Sequence, residues 1–153
     1  MDFQLNIDTE KIGQLPLLDP LCVTEATSVR DVLRVLQQKQ QGCVLIVENE
    51  RLTGIFTERD ALAMMAASQG LDGPVSEAMA RNPICVERSD TVATAIERMS
   101  TGGYRQLPVV DNGRPRGLLK VKSILHYLVE HFPQVIYTLP PQPHHFPQNR
   151  EGA

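Results

Sequence analysis

Thr57 and Asp60 carry the most pointed chemistry in the chain. They stand three residues apart in Gly54-Ile55-Phe56-Thr57-Glu58-Arg59-Asp60. That is capping-box spacing, so the pair can close a helix N-terminus and nothing more. It can also serve a ligand. A carboxylate accepts two hydrogen bonds from a vicinal diol, as acidic residues do for ribose in dinucleotide folds. A hydroxyl at a helix N-terminus can meet a phosphate or sugar oxygen. The stretch recurs 63 residues later as Gly117-Leu118-Leu119-Lys120-Val121-Lys122-Ser123, with Lys120 and Ser123 in place of Thr57 and Asp60. A requirement of the fold should appear in both copies, so a polar pair kept in one reads as a site. The second copy supplies cations instead. Arg105 lies just before its central strand and Lys122 just after its last, where the first copy has Gly42 and Arg59. The plain alternative for both is ordinary surface solvation. The asymmetry predicts one nucleotide-sized site per chain.

Other chemistry is sparse. The three cysteines, Cys22, Cys43 and Cys85, lack C-x-x-C spacing, which suggests neither a disulfide framework nor a zinc site. Cys22 and Cys85 fall at equivalent places and read as small buried hydrophobes. No Ser-His-Asp or Cys-His arrangement, H-E-x-x-H, P-loop or G-x-G-x-x-G occurs. All four histidines fall late in the chain. His126 and His131 read as surface residues, and His144-His145 as solvated rather than metal-binding. No catalytic residues and no metal are expected. An enzyme using Cys43 beside a nucleotide cleft is a minor reading, because no base is placed near it in sequence.

These residues need elements to position them. The chain has 153 residues with 42% apolar content, enough for one ordinary domain or two very small ones. A net charge of -3 argues against a general nucleic-acid binder. There is no apolar run of transmembrane length and no signal-peptide pattern, so a cytoplasmic location is expected. Residues 1–19 form a lead-in, with one short helical turn starting near Asp8. Residues 20–74 form the first unit: a strand at Leu21-Cys22-Val23, a helix capped by Thr27 or Ser28 with Val29, Val32, Leu33 and Leu36 inward, a buried strand over Val44 to Val47, a turn, a strand over Leu52 to Phe56, and a helix over Glu58 to Ser68. Residues 75–132 open with a short linking helix over Val75 to Met79 and repeat the unit. Asn112-Gly113 makes its hairpin turn, Ser89 or Asp90 caps a helix beginning at Thr91, and Val121 to His131 closes it. Pro20 and Pro83, Val47 and Val110, and Leu62 and Leu125 all obey the one spacing without a gap, which marks a duplication. Residues 133–153 are a Pro-rich tail, with Leu139 to Pro143 extended. The expected fold class is α/β (α+β): two pseudo-symmetric β-α-β-β-α units, each with a small three-stranded sheet and two helices. Units this small gain by burying sheet faces on each other, and ligand sites favour such junctions.

The duplicated units resemble a tandem pair of CBS domains, the regulatory modules named after cystathionine β-synthase. Gly54 to Asp60 is similar to that family's G-h-x-[ST]-x-x-D ribose motif. Tyr104-Arg105-Gln106-Leu107-Pro108-Val109-Val110-Asp111 resembles its R-H-L-P-V-V-D stretch. The likeness runs from about Pro16 to His131. It implies an adenine nucleotide as ligand, commonly AMP, ADP or ATP, sometimes an NAD-type ligand or S-adenosylmethionine. It implies ribose contacts at Thr57 and Asp60, phosphate contacts at Arg105 and Lys122, and an adenine slot near Ile55, Pro83, Ile84 and Tyr104. The chain departs from the pattern at Gln106, where histidine is common, at Lys120 and Ser123, and at Leu45 where the second copy has Pro108. The resemblance also implies a homodimer joined through helices, for which the Met64-Met65 helix is suited; such pairs are usually fused to an enzyme or transporter, and with nothing else fused here a stand-alone sensor acting on a partner in trans is expected. The competing reading is a ligand-free dimeric scaffold whose tail recruits a partner.

Overall fold

The structure, a computed structural model, describes residues 7–131. The tail from Pro133 on, with its extended stretch and His144-His145, lies outside the described residues. The first unit comprises β1 (Cys22–Val23), α1 (Val29–Lys39), β2 (Cys43–Glu48), β3 (Arg51–Thr57) and α2 (Glu58–Ala66). A short β4 (Ala80–Arg81) follows. The second unit comprises β5 (Val86–Glu87), α3 (Val92–Gly102), β6 (Gln106–Asp111), β7 (Arg114–Lys120) and α4 (Val121–His131). In each unit a parallel first strand flanks a central strand, which pairs antiparallel with the third.

The duplication extends to details that sequence periodicity alone does not specify. Each hairpin carries a register shift at the same place, between Ile46 and Val47 and between Val109 and Val110. Each turn uses two residues with positive φ, Asn49 and Glu50 in the first copy and Asn112 and Gly113 in the second. That pairing of φ values fits a type I′ hairpin. Ser28 caps α1 by accepting the Asp31 amide at 3.1 Å, and Thr91 caps α3 by accepting the Thr94 amide at 3.2 Å. The expected cap at Ser89 or Asp90 is therefore displaced to Thr91, and the helix starts at Val92. Asp90 is occupied one step earlier, where its carboxylate accepts the Glu87 amide at 2.8 Å.

The segments between units differ most from expectation. The linker makes only a 3-10 turn, Val75–Glu77, and then extends into β4. β4 pairs with β3 at Gly54↔Arg81 and Ile55↔Ala80, so the first sheet has four strands where three were expected. The second sheet has three, and the lead-in bridges its exposed edge. Leu18 and Leu118 exchange backbone bonds of 3.0 and 2.9 Å. Both edges would otherwise present unpaired backbone groups. The motif glycine of each copy admits this covering. A Cβ at Gly54 would overlap the Met79 side chain, and one at Gly117 would come within 3.0 Å of Leu17 Cβ.

Two apolar cores result. Val29, Val32, Leu36, Val44, Ile46, Phe56 and Ala61 form the first, completed by Val75 and Met79 from the linker. Val86, Val92, Ala95, Met99, Leu107, Val109, Leu119, Ile124 and Tyr127 form the second, completed by Ile7, Ile12 and Leu15 from the lead-in. The Tyr127 hydroxyl and Glu10 Oε1 are hydrogen-bonded at 2.6 Å, pinning α4 to the lead-in. The two hairpins lie turn against turn. The Leu52 amide donates to the Gly113 carbonyl at 2.8 Å, and Arg51 Nη1 donates to the Asn112 carbonyl at 2.9 Å.

Candidate functional site

Thr57 ends β3 in an extended conformation and caps α2. Asp60 Oδ2 accepts from the Thr57 amide at 2.9 Å and from Thr57 Oγ1 at 3.2 Å. The Asp60 amide returns a bond to Thr57 Oγ1 at 3.3 Å. The capping box is thus complete, and it uses one carboxylate oxygen. Both residues are half-buried, and among the described residues no hydrogen bond engages Asp60 Oδ1. Capping and ligand binding are therefore compatible: one oxygen fixes the turn and the other is left to accept.

The second copy has the same backbone frame without this pair. The Glu58 amide donates to the Gly42 carbonyl at 3.0 Å, and its counterpart, the Val121 amide, donates to the Arg105 carbonyl at 3.0 Å. That bond seats Arg105 at the first turn of α4, where Lys122 also lies. Gln106 stands opposite Lys120 in the ladder. Arg105, Gln106 and Lys122 thus share one end of the second sheet. Arg105 and Lys122 are exposed, and no ion pair engages either among the described residues.

The expected adenine-slot residues fall into two groups. Half-buried Ile55 on β3 is in register with Ala80, and the Asn82 amide donates to the Thr53 carbonyl at 3.2 Å. Pro83 and Ile84 therefore leave from the edge of β3, with Ile84 48% exposed. Tyr104 is at the other end of α3, 42% exposed, its ring folded over Gly102, where any Cβ would overlap it. Exposed apolar side chains of this kind are available to a flat ring.

Electrostatics link the two copies at this end of the hairpins. Cys43 is the β2 partner of Thr57. Burial pushes its thiol up to about 11, the charge of Lys120 opposes the shift, and Glu58 adds to it. Lys120 is therefore felt at the residue beside Thr57. By sequence alone Lys120 is only the loss of a second ribose motif. Its position as the counterpart of Thr57, across a pseudo-symmetric junction, was the signal that it adds a cation there. A thiol held that high is protonated near neutrality.

Two hollows lie elsewhere. One of about 600 Å³ is lined by Arg51, Asp111, Asn112, Arg114 and Arg116, at the turn end of the hairpins, and holds none of the expected site residues. Another of about 390 Å³ is lined by Leu33, Leu36, Gln37, Glu58, Ala61, Leu62 and Met65, between α1 and α2. Met64 packs into the first core, while Met65 is 55% exposed, so only one of the two methionines faces outward. Among the described residues no His, Cys, Asp and Glu cluster could hold a metal ion. No described helix is long and apolar enough to cross a membrane.

A family profile described as CBS domain matches residues 12–67 and 75–130. The CBS domain-containing protein CBSCBSPB2 of Arabidopsis thaliana is 33% identical over 119 residues, covering 75% of this chain and 22% of that protein. The chain thus spans about a fifth of the length of such relatives. The CBS domain protein PAE2072 from Pyrobaculum aerophilum, solved in complex with AMP, superposes with a TM-score of 0.70 at 27% identity, covering 78% of this chain and 98% of that one. The CBS domain pair of protein MJ0100, solved with 5'-methylthioadenosine and S-adenosyl-L-methionine, gives a TM-score of 0.71 at 21% identity, covering 80% and 98%. At that identity the likeness concerns the fold alone.

Proposed function

Because the chain belongs to the CBS-domain family, as a tandem pair of CBS units, we propose that it is a regulatory module that binds an adenine nucleotide at the Thr57–Asp60 end of its hairpins. The observation that carries this reading is Asp60. It completes the helix cap with Oδ2 and keeps Oδ1 available for a ribose diol. The AMP bound by the Pyrobaculum relative supports the ligand class. Thr57 and Asp60 hold the ribose, Arg105 and Lys122 face the phosphate, and Ile55, Pro83, Ile84 and Tyr104 flank the base. Gln106 contributes a neutral contact in place of a cation. Lys120 adds charge near Cys43 and favours the more highly phosphorylated ligands. The module carries no catalysis of its own and passes the occupancy of the site to a partner in trans, as a homodimer.

The dimer contact proposed is the outer faces of α2 and α4. Leu62 is 67% exposed and its counterpart Leu125 is 55% exposed, so the duplication leaves the same position uncovered twice. Exposed apolar patches of this kind mark interaction sites.

Titration of adenosine, AMP and ATP into the protein and into Lys122→Ala tests the assignment. All three should bind the unaltered protein. The variant should spare adenosine and weaken AMP and ATP by about two- to fivefold, the scale of one exposed charge pair. Added salt should shrink that difference. Failure of all three ligands to bind at millimolar concentration would leave a ligand-free scaffold as the better reading.

A further inference from the structure

We propose that the arginine-lined recess at the paired hairpin turns is a second anion site, separate from the nucleotide site, that takes a compact polyphosphate. The duplication places Arg51 and Arg114 at equivalent turn positions, and the turn-against-turn packing brings them to one recess of about 600 Å³, where Arg116 joins them. The chain as a whole is acidic, with a net charge of -3, so the concentration of guanidiniums here is local.

Their internal partners do not match them. Arg51 Nη1 donates to a neutral acceptor, the Asn112 carbonyl, and has no carboxylate partner among the described residues. Arg114 reaches Glu50 only at 3.9 Å, and the Glu50 side chain is 76% exposed. Arg88 and Arg116 share one oxygen, Asp111 Oδ2, at 3.3 and 3.5 Å. Two further carboxylates near the turns accept backbone amides: Glu87 from Asn112 at 3.3 Å, and Glu48, opposite Arg51 in the ladder, from Glu25 at 2.8 Å. The recess itself is lined by three arginines and one aspartate. A multivalent oxyanion relieves that crowding. Guanidinium forks match phosphate oxygens two at a time, which a point charge does not. The volume exceeds that of one phosphate and suits a chain of two or three. The seven-residue β3 separates the recess from Thr57 by about 20 Å, so one nucleotide cannot fill both places.

The probe is inorganic tripolyphosphate, titrated calorimetrically into the full chain at low salt, with ATP in a parallel arm. Three variants are compared: Arg51→Gln, Arg114→Ala with Arg116→Ala, and Arg105→Ala with Lys122→Ala. Circular dichroism and melting check that each is folded. Tripolyphosphate should bind, lose about tenfold or more in the Arg114/Arg116 double variant, and change less than about twofold in the Arg105/Lys122 variant. Arg51→Gln, which breaks only a bond to a carbonyl, should still weaken binding several-fold and serves if the double variant unfolds. AMP binding should survive both recess variants. ATP showing a second binding step that survives in the Arg105/Lys122 variant and is lost in the recess variants assigns a nucleotide tail as the source, and a tripolyphosphate step with no second ATP step assigns free polyphosphate; either supports the site. No tripolyphosphate binding, binding that follows Arg105 and Lys122, or binding of a polyglutamate peptide in preference to tripolyphosphate would each overturn it.

Discussion

Replacing Asp60 by Asn and by Ala separates the two uses of its carboxylate. In the structure Oδ2 accepts the Thr57 amide and hydroxyl, and no hydrogen bond engages Oδ1 among the described residues. Asn keeps a side-chain oxygen for the Thr57 amide and removes the charge. Ala removes both. Loss of a cap costs about 0.5 to 2 kcal/mol, which lowers the melting temperature of a chain this size by roughly 2–4 °C per kcal/mol. A charge-assisted bond to a ribose hydroxyl contributes about 1.5 to 3 kcal/mol, or roughly ten- to a hundredfold in affinity. Asp60→Asn should therefore melt close to the unaltered protein and still lose at least about tenfold in affinity. The loss should be the same for adenosine, AMP and ATP, which share the ribose. Asp60→Ala should lose affinity and melt earlier. Calorimetry and thermal melts on the three proteins decide it. An Asp60→Asn protein that binds all three ligands normally would reduce Thr57 and Asp60 to a helix cap and refute the ribose assignment.

Three further outcomes follow from the same geometry. Light scattering should give about twice the 17.0 kDa chain mass, and Leu62→Glu with Leu125→Glu should return a monomer; a monomer before substitution contradicts the α2 and α4 interface. Tyr127 is pushed up to about 12 by burial, the Glu10 hydrogen bond and the Glu10 charge, from an ordinary value of 10.0. Because the folded value is the higher, its stabilising contribution is present below pH 10 and is lost as pH rises through about 12; Tyr127→Phe should flatten that part of an alkaline denaturation profile, and an unchanged profile would refute it. With Lys120 and Ser123 in place of the ribose pair, AMP should saturate at about one per chain, and calorimetry showing two equivalent sites would contradict the asymmetry.

What could be read in advance was whatever the period of the chain encodes. The 63-residue spacing predicted two β-α-β-β-α units, and the structure repeats even the register shift and the positive-φ turns at that spacing. Helix caps were legible where one polar residue stood alone, as at Thr57, and ambiguous where polar residues adjoined, as at Thr27 and Ser28 or at Ser89, Asp90 and Thr91, since each can bond a nearby amide. β4 was not legible, because two residues with no apolar alternation, Ala80 and Arg81, become a strand only when the β3 edge is beside them. The role of Ile12 and Leu15 in the second core was hidden for a similar reason, as their partners are more than 70 residues away. The arginine recess was foreshadowed by the equivalence of Arg51 and Arg114, but a shared position does not reveal that two turns touch. At the candidate site, residue types singled out Thr57 and Asp60; the way Asp60 divides its two oxygens needed coordinates.

The structure of the protein with AMP tests the central claim most directly. The account predicts the ribose hydroxyls within about 2.5–3.0 Å of Asp60 Oδ1, the phosphate directed toward Arg105 and Lys122, and the equivalent position beside Lys120 and Ser123 without a second ribose. AMP seated elsewhere, or a Thr57–Asp60 end left empty at saturating AMP, would contradict it.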